Sequence, residues 1–145
     1  MKPKTVPLVL FHDGTCPLCQ AEVLLLKHRS KHGQIEFVDV HDIAFDPACE
    51  GVSRDRALAV LHGRIGDGPL LRGVDVFTEA YQRAGFHVAA WILTQRWLRP
   101  FLNAGYRLFA AYRKRISRLV GPLALWLVQR RYRQRPAIEQ RPGSK

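Results

Sequence analysis

Two cysteines three residues apart, Cys16 and Cys19, are the side chains of this sequence best suited to chemistry. They lie between an apolar run, residues 6–11, and a leucine-rich segment that begins near Ala21. This placement predicts a dithiol on the first turn of a helix, where positions i and i+3 share a face and their Cα atoms lie about 5 Å apart. At that separation two sulfurs can bond and separate without a backbone rearrangement.

The start of the predicted helix would activate one of these thiols. The first N–H groups of a helix have no intrahelical partner and carry about half a positive charge, which favours a thiolate. In such CxxC settings a thiol pKa of about 8.5 can fall to roughly 3.5–7.5. We expect Cys16, at the helix tip and nearer the solvent, to attack a disulfide, and Cys19, one turn deeper, to resolve the mixed disulfide. Pro17 suits the first helical position.

Two other interpretations of the pair are half of a zinc site and two inert structural thiols. Zinc needs four ligands, and the sequence has no second CxxC or CxxH to complete the set. His12, His41 and Cys49 would have to converge on the pair instead. We therefore predict a redox dithiol, with no metal and no organic cofactor.

Asp13 and Gly14 stand directly before the pair. Asp13 has two open roles: it could accept the proton of Cys19 as the mixed disulfide resolves, or it could shape the turn and cap the helix. Gly14 is expected to take a positive φ that lets the chain approach the sulfurs closely.

Periodicity and turn residues predict the elements around the dithiol. Strands are expected at residues 6–11, 34–40, 58–65 and 69–72, and helices at residues 16–32, 53–58 and 74–81. The order is βαβ, a linking helix, then ββα. Such an order favours an α/β fold with a four-stranded mixed sheet and helices packed on it, as in the thioredoxin fold.

Two stretches carry a resemblance to a known family. The sequence F-H-D-G-T-C-P-L-C at residues 11–19 is similar to the signature of the DCC family of thiol-disulfide oxidoreductases, and L-R-G-V-D-V-F at residues 71–77 resembles that family's second recurring segment. The similarity spans roughly residues 6–112. It implies a thioredoxin-like fold and disulfide exchange, with Asp13, Cys16 and Cys19 as the site residues.

The charge of the chain is concentrated near its C-terminal end. Residues 1–106 contain 12 Lys and Arg against 11 Asp and Glu, whereas residues 107–145 contain 11 against 1. Apolar residues at helical spacing from Phe101 onwards predict a basic amphipathic helix. We expect a thioredoxin-like domain at residues 1–112 and a basic, helical and partly disordered tail at residues 113–145.

The tail has three candidate partners. Its apolar side could pack on the domain, or it could lie on an anionic membrane surface with Trp126 and Tyr132 at headgroup level. Nucleic acid fits the charge, but the sequence contains no recognisable binding motif for it. The apolar run at residues 119–128 is half the length that a membrane-spanning helix needs.

The sequence therefore predicts a cytoplasmic thiol–disulfide oxidoreductase with a thiol or disulfide of a protein or small molecule as substrate. Its basic tail could hold it at a membrane surface. Three cysteines are too few for a disulfide scaffold, which fits a reducing compartment. The alternative is a peripheral membrane or partner-binding module with a non-catalytic dithiol.

Overall fold

The computed structural model describes residues 6–133. Its sheet contains four strands: β1 Leu8–His12, β2 Ile35–Asp39, β3 His62–Ile65 and β4 Leu70–Arg72. The strand order is β2-β1-β3-β4. Strand β1 runs parallel to β2 and antiparallel to β3, and β3 runs antiparallel to β4. The predicted mixed sheet of a thioredoxin-like α/β fold is confirmed.

Within the same residues, helices pack around this sheet. They are α1 Pro17–Arg29, α2 Pro47–Glu50, α3 Arg54–Ala59, α4 Val74–Arg83, α5 His87–Thr94 and α6 Arg99–Tyr132. Helix α1 connects the parallel strands β1 and β2, so its first turn begins where β1 ends. This connection places residues 13–16 at the carboxyl end of β1, an inner strand of the sheet.

Strand β1 is covered on both faces, as its continuous apolar run predicted. On one face Leu10 packs in a cluster with Leu26 of α1 and Val76 of α4. On the other face Phe11 packs edge-on against Phe45, with ring centroids 5.9 Å apart. The strand that leads to the dithiol is thereby buried in the core.

Strand β3 begins later than the sequence pattern predicted. Ser53 caps α3 as expected, accepting a hydrogen bond from the Arg56 N–H at 3.3 Å. The helix then extends to Ala59, and the Val60 N–H donates to the Arg56 carbonyl at 3.1 Å. Because these backbone groups are already used in α3, the strand pairing starts only at His62.

Helix α6 lies along α1 and crosses its first turn. It has 34 residues and is therefore about 50 Å long. The helices meet at Gly121, where an added Cβ would lie 3.0 Å from the Cβ of Pro17 and 3.1 Å from the N atom of Leu18. The boundary predicted between residues 112 and 113 falls inside this unbroken helix, and the division into two units stays a prediction. Residues 134–145 of the predicted tail lie outside the described residues.

Candidate dithiol active site

Cys16 is the N-cap of α1, which confirms that the pair occupies the first turn of a helix. Its backbone is extended, with φ −89° and ψ 114°. Its Sγ accepts a hydrogen bond from the Cys19 N–H at 3.4 Å. Pro17 occupies the start of the helix, where an N–H would have no intrahelical partner. Both cysteines are free thiols.

Helix α6 covers Cys16, and the prediction that this thiol lies nearer the solvent is wrong. Cys16 is 8% exposed, whereas Cys19 is only partly buried. The Oγ of Ser117 lies 3.2 Å from Cys16 Sγ and accepts a longer hydrogen bond, 3.4 Å, from the Leu18 N–H. The reversal arises because a helix from the far end of the chain passes over the tip of α1.

The contacts of Cys16 favour its thiolate. The Cys19 thiol donates a hydrogen bond to Cys16 Sγ, and the Ser117 hydroxyl and the Cys19 N–H donate as well. Together with the positive charge of Arg113 they outweigh the effect of burial and lower the pKa of Cys16 to about 5. Cys16 is thus charged at neutral pH.

Cys19 is held in the opposite state. Its hydrogen bond to Cys16, its burial and the negative charge of Cys16 raise its pKa well above the ordinary value for a thiol. The pair therefore carries one proton, and this proton stays on Cys19. The pair thus combines one sulfur that favours the ionised form with one that favours the protonated form.

Arg113, also from α6, brings a mostly buried positive charge to the site. Its side chain is 11% exposed, and its guanidinium lies 3.7 Å from Asp13 Oδ2. It also donates a hydrogen bond to the carbonyl of Leu58. Its charge lowers the pKa of Cys16, so α6 supplies both a hydroxyl and a cation to the dithiol.

Asp13 forms the turn before Cys16. One carboxylate oxygen accepts hydrogen bonds from the Thr15 N–H at 3.0 Å and the Thr15 hydroxyl at 2.7 Å, and lies 3.0 Å from His41 Nε2. Burial would raise the pKa of Asp13, but these bonds and the charge of Arg113 lower it. Asp13 contacts the turn directly and acts on Cys19 only through its charge, which raises the pKa of Cys19.

Gly14 is required for a reason other than the predicted positive φ. Its φ lies outside the left-handed range, which several other glycines adopt, Gly33 and Gly51 among them. Its N–H donates to Asp39 Oδ1 at 3.0 Å, and an added Cβ would lie 1.8 Å from Asp39 Oδ2. The absence of a side chain thus lets the carboxylate of β2 hold the turn.

The other candidate residues do not join the dithiol. Cys49 is exposed, and its thiol donates to Asp46 Oδ2 at 3.1 Å. His12 packs edge-on near the Phe37 ring, and His41 contacts Asp13. Within residues 6–133 there is no cluster of His, Cys, Asp and Glu that could hold a metal ion.

Sequence reasoning missed Ser117 and Arg113 as site residues. It treated residues 113–145 as a tail and its arginines as charges between apolar positions. The available signal was that Arg113, Ser117 and Gly121 are four residues apart and so share one helical face. A helix face with one charged, one small polar and one small apolar residue in a row is typical of close packing against a polar surface.

A thioredoxin-like sheet with a dithiol at the start of its first helix, one thiol being ionised, defines the class of thiol–disulfide oxidoreductases. Comparison with protein families agrees with this class. Residues 10–119 match the family described as DCC1-like thiol-disulfide oxidoreductase. Because the match covers more than half of the chain, the chain belongs to this family, and the resemblance seen in the motifs is confirmed.

The chain is also similar to a more distantly related protein. An uncharacterized chloroplastic protein of Arabidopsis thaliana is 29% identical over 121 residues, which are 80% of this chain and 55% of the relative. The chain thus spans about half the length of that protein. No solved structure matches the chain significantly. Within residues 6–133, no helix combines the length and apolar character that a membrane crossing requires.

Proposed function

We propose that this protein exchanges thiols and disulfides through Cys16 and Cys19, with Cys16 as the attacking thiol. The observation that carries the proposal is the set of donors around Cys16 Sγ, which comes from Cys19 and Ser117. Because these donors favour the thiolate, a nucleophile is present at neutral pH while its neighbour keeps a proton.

In the reductive direction the Cys16 thiolate attacks one sulfur of a substrate disulfide. A bond forms between Cys16 and that sulfur, the substrate S–S bond breaks, and the other sulfur leaves as a thiolate. Cys19 then loses its proton, attacks Cys16 Sγ and releases the second substrate thiol. One substrate disulfide is reduced to two thiols, and one Cys16–Cys19 disulfide is formed in this two-electron exchange.

The charge of Cys16 controls when Cys19 reacts. While Cys16 is a thiolate, the hydrogen bond between the sulfurs, burial and charge repulsion keep the pKa of Cys19 raised. Formation of the mixed disulfide removes that charge and weakens the hydrogen bond, so the pKa of Cys19 falls at the step that needs it. The departing thiolate is a better acceptor for this proton than Asp13, because the pKa of Asp13 is lowered.

Oxidised glutathione and iodoacetamide test this proposal on the purified, reduced protein. We expect glutathione disulfide to be consumed with formation of a Cys16–Cys19 disulfide, detected by peptide mass. Iodoacetamide should alkylate Cys16 with a pH profile whose midpoint lies near the pKa of about 5. A midpoint near the ordinary value of about 8.5, with no internal disulfide formed, would favour the non-catalytic module instead.

The compartment proposed for this exchange is the cytoplasm, in accordance with the small number of cysteines. The dithiol should then be found mainly reduced when cells are quenched with acid and the thiols are trapped. A pair that is mostly oxidised under those conditions would speak against a reducing compartment.

Binding to an anionic membrane surface is a second function that we propose, and it rests on the outer side of α6. Six large apolar side chains there are exposed, and we call them the outer stripe: Phe101, Leu108, Tyr112, Leu119, Leu123 and Trp126. At about 100° per residue they fall within roughly 60° of one another, on the side of α6 opposite Ser117. An exposed apolar stripe of this length favours a binding surface.

The charge of α6 favours lipid over a second copy of the chain. The helix contains eight Lys and Arg and neither Asp nor Glu. Two such helices would repel each other, whereas an anionic bilayer offers phosphates to the cations and an apolar layer to the outer stripe. The Arg130 guanidinium lies 5.1 Å from the Trp126 ring centre, an arrangement suited to the headgroup region.

Vesicle flotation tests the membrane proposal with a matched pair of substitutions. Leu119 is 83% exposed on the outer stripe, and Ile43 is 100% exposed in a turn elsewhere. We expect Leu119→Glu to reduce binding to phosphatidylglycerol-containing vesicles about tenfold or more, because a charge enters the lipid-facing side. Ile43→Glu should bind as the wild type does. Equal binding of all three proteins, or a wild-type dimer that Leu119→Glu dissociates, would rule out docking through the stripe.

A further inference from the structure

A cleft of about 410 Å³ lies between the start of α4 and the first turns of α6. Its residues on α6 are spaced along one face of the helix and include Asn103, Tyr106 and Ala110. Its opposite wall is the segment of residues 72–75, which belongs to the second recurring motif of the family. The proposed exchange chemistry assigns no role to this motif.

The cleft has an excess of positive charge. Arg72, Arg99 and Arg107 line it together with a single carboxylate, that of Asp75. Asp75 is paired with Arg99. Among residues 6–133, neither Arg72 nor Arg107 makes a hydrogen bond or an ion pair, so two guanidinium groups remain to bind an anion. Guanidinium groups bind carboxylates through paired, charge-assisted hydrogen bonds.

The cleft lies within reach of the dithiol. Ala110, at its end nearer the dithiol, is seven residues before Ser117 on the same helix, which is about 10 Å along the axis. Ser117 contacts Cys16 Sγ. An extended tripeptide also spans about 10 Å. Arg107 is ten residues before Ser117, about 15 Å along the axis, so a peptide-sized disulfide anchored at the arginines has to extend along α6 from the cleft to bring a sulfur to Cys16.

We propose that this cleft binds the carboxylates of a small anionic disulfide and positions its sulfurs for Cys16. The inference rests on the proposed function and names the substrate class for it. The burial of Cys16 under α6 agrees with a small substrate, because a folded protein would have to displace the helix to reach the sulfur. In the reaction one sulfur of the ligand bonds to Cys16 and the other leaves as a thiolate, as described above.

Two disulfides of different charge test the inference. Oxidised glutathione carries carboxylates, whereas 2-hydroxyethyl disulfide is neutral. We expect Arg72→Gln and Arg107→Gln each to raise the KM for oxidised glutathione about tenfold, since each removes a charged anchor. Both variants should reduce 2-hydroxyethyl disulfide as the wild type does. Arg118→Gln is the matched control, because Arg118 is an exposed arginine of α6 outside the cleft.

The inference would be overturned if Arg107→Gln impaired the reduction of both disulfides equally. It would also be overturned if Arg118→Gln raised the KM for oxidised glutathione as much as Arg107→Gln does. Calorimetry with oxidised glutathione on the Cys16→Ser protein separates it from the proposed function, because no exchange can occur there. Binding that Arg72→Gln and Arg107→Gln weaken would support the cleft even if turnover failed. Binding that neither substitution changes would overturn it even if turnover succeeded.

Discussion

Replacing Cys16 by serine is expected to abolish disulfide exchange, whereas replacing Cys19 by serine should stop the reaction at the mixed disulfide. Loss of the attacking thiol removes the nucleophile, and we expect the rate to fall by about 10³-fold or more. In Cys19→Ser the first attack remains possible, because the serine hydroxyl can still donate to Cys16 Sγ. The measurement is the protein mass after incubation with oxidised glutathione.

The two variants should also differ in the product that they form with oxidised glutathione. Cys19→Ser should gain the mass of one glutathione on Cys16, and Cys16→Ser should gain none. Cys49→Ser is the control, since Cys49 is exposed and bonded to Asp46 away from the pair. A stable adduct on Cys19 in the Cys16→Ser protein would mean that the roles of the two thiols are reversed.

Ser117→Ala is expected to shift the ionisation of Cys16 by removing the hydroxyl that α6 supplies. The Ser117 Oγ lies 3.2 Å from Cys16 Sγ, and hydrogen bonds to charged groups contribute about 1.5–3 kcal/mol. That free energy corresponds to about one to two pKa units. The direction is upward from the value of about 5, because the donor stabilises only the thiolate.

The pH dependence makes this effect measurable. The thiolate fraction at pH 5 should fall about five- to fiftyfold, while at pH 8 it should change little, because both proteins are then largely ionised. The midpoint of the alkylation profile reports this shift independently of how accessible the sulfur is.

A second serine provides the control for Ser117→Ala. Ser53→Ala removes the cap of α3, which should cost about 1 kcal/mol of stability without moving the Cys16 midpoint. An unchanged midpoint in Ser117→Ala would show that the Ser117 hydroxyl does not stabilise the Cys16 thiolate.

The local architecture was predictable because short-range rules determine it. The continuous apolar run before the pair predicted a strand buried on both faces, and Pro17 predicted the start of a helix. The helix from Ser53 was also predicted, but the strand that follows it was placed four residues too early. The competition between the last turn of α3 and the first pairs of β3 depends on hydrogen bonds that a pattern of side chains does not encode.

The surroundings of the dithiol were less predictable. Gly14 was expected to need a positive φ, but it is Asp39 of β2 that leaves no room for a side chain there. The exposure of Cys16 was assigned from its place at a helix tip, and the structure reverses it. In both cases the deciding contact comes from a residue distant in the chain.

The sequence by itself determined that the two thiols lie at the start of a helix that follows a buried strand, and that the fold is thioredoxin-like. These features follow from residue spacing, apolar periodicity and the conformational limits of proline. Only the tertiary structure decided that Cys16 is covered, and that Ser117 and Arg113 make its ionised form favourable. Those residues lie about a hundred positions further along the chain, so their effect depends on how α6 packs against α1, where Gly121 allows a close approach.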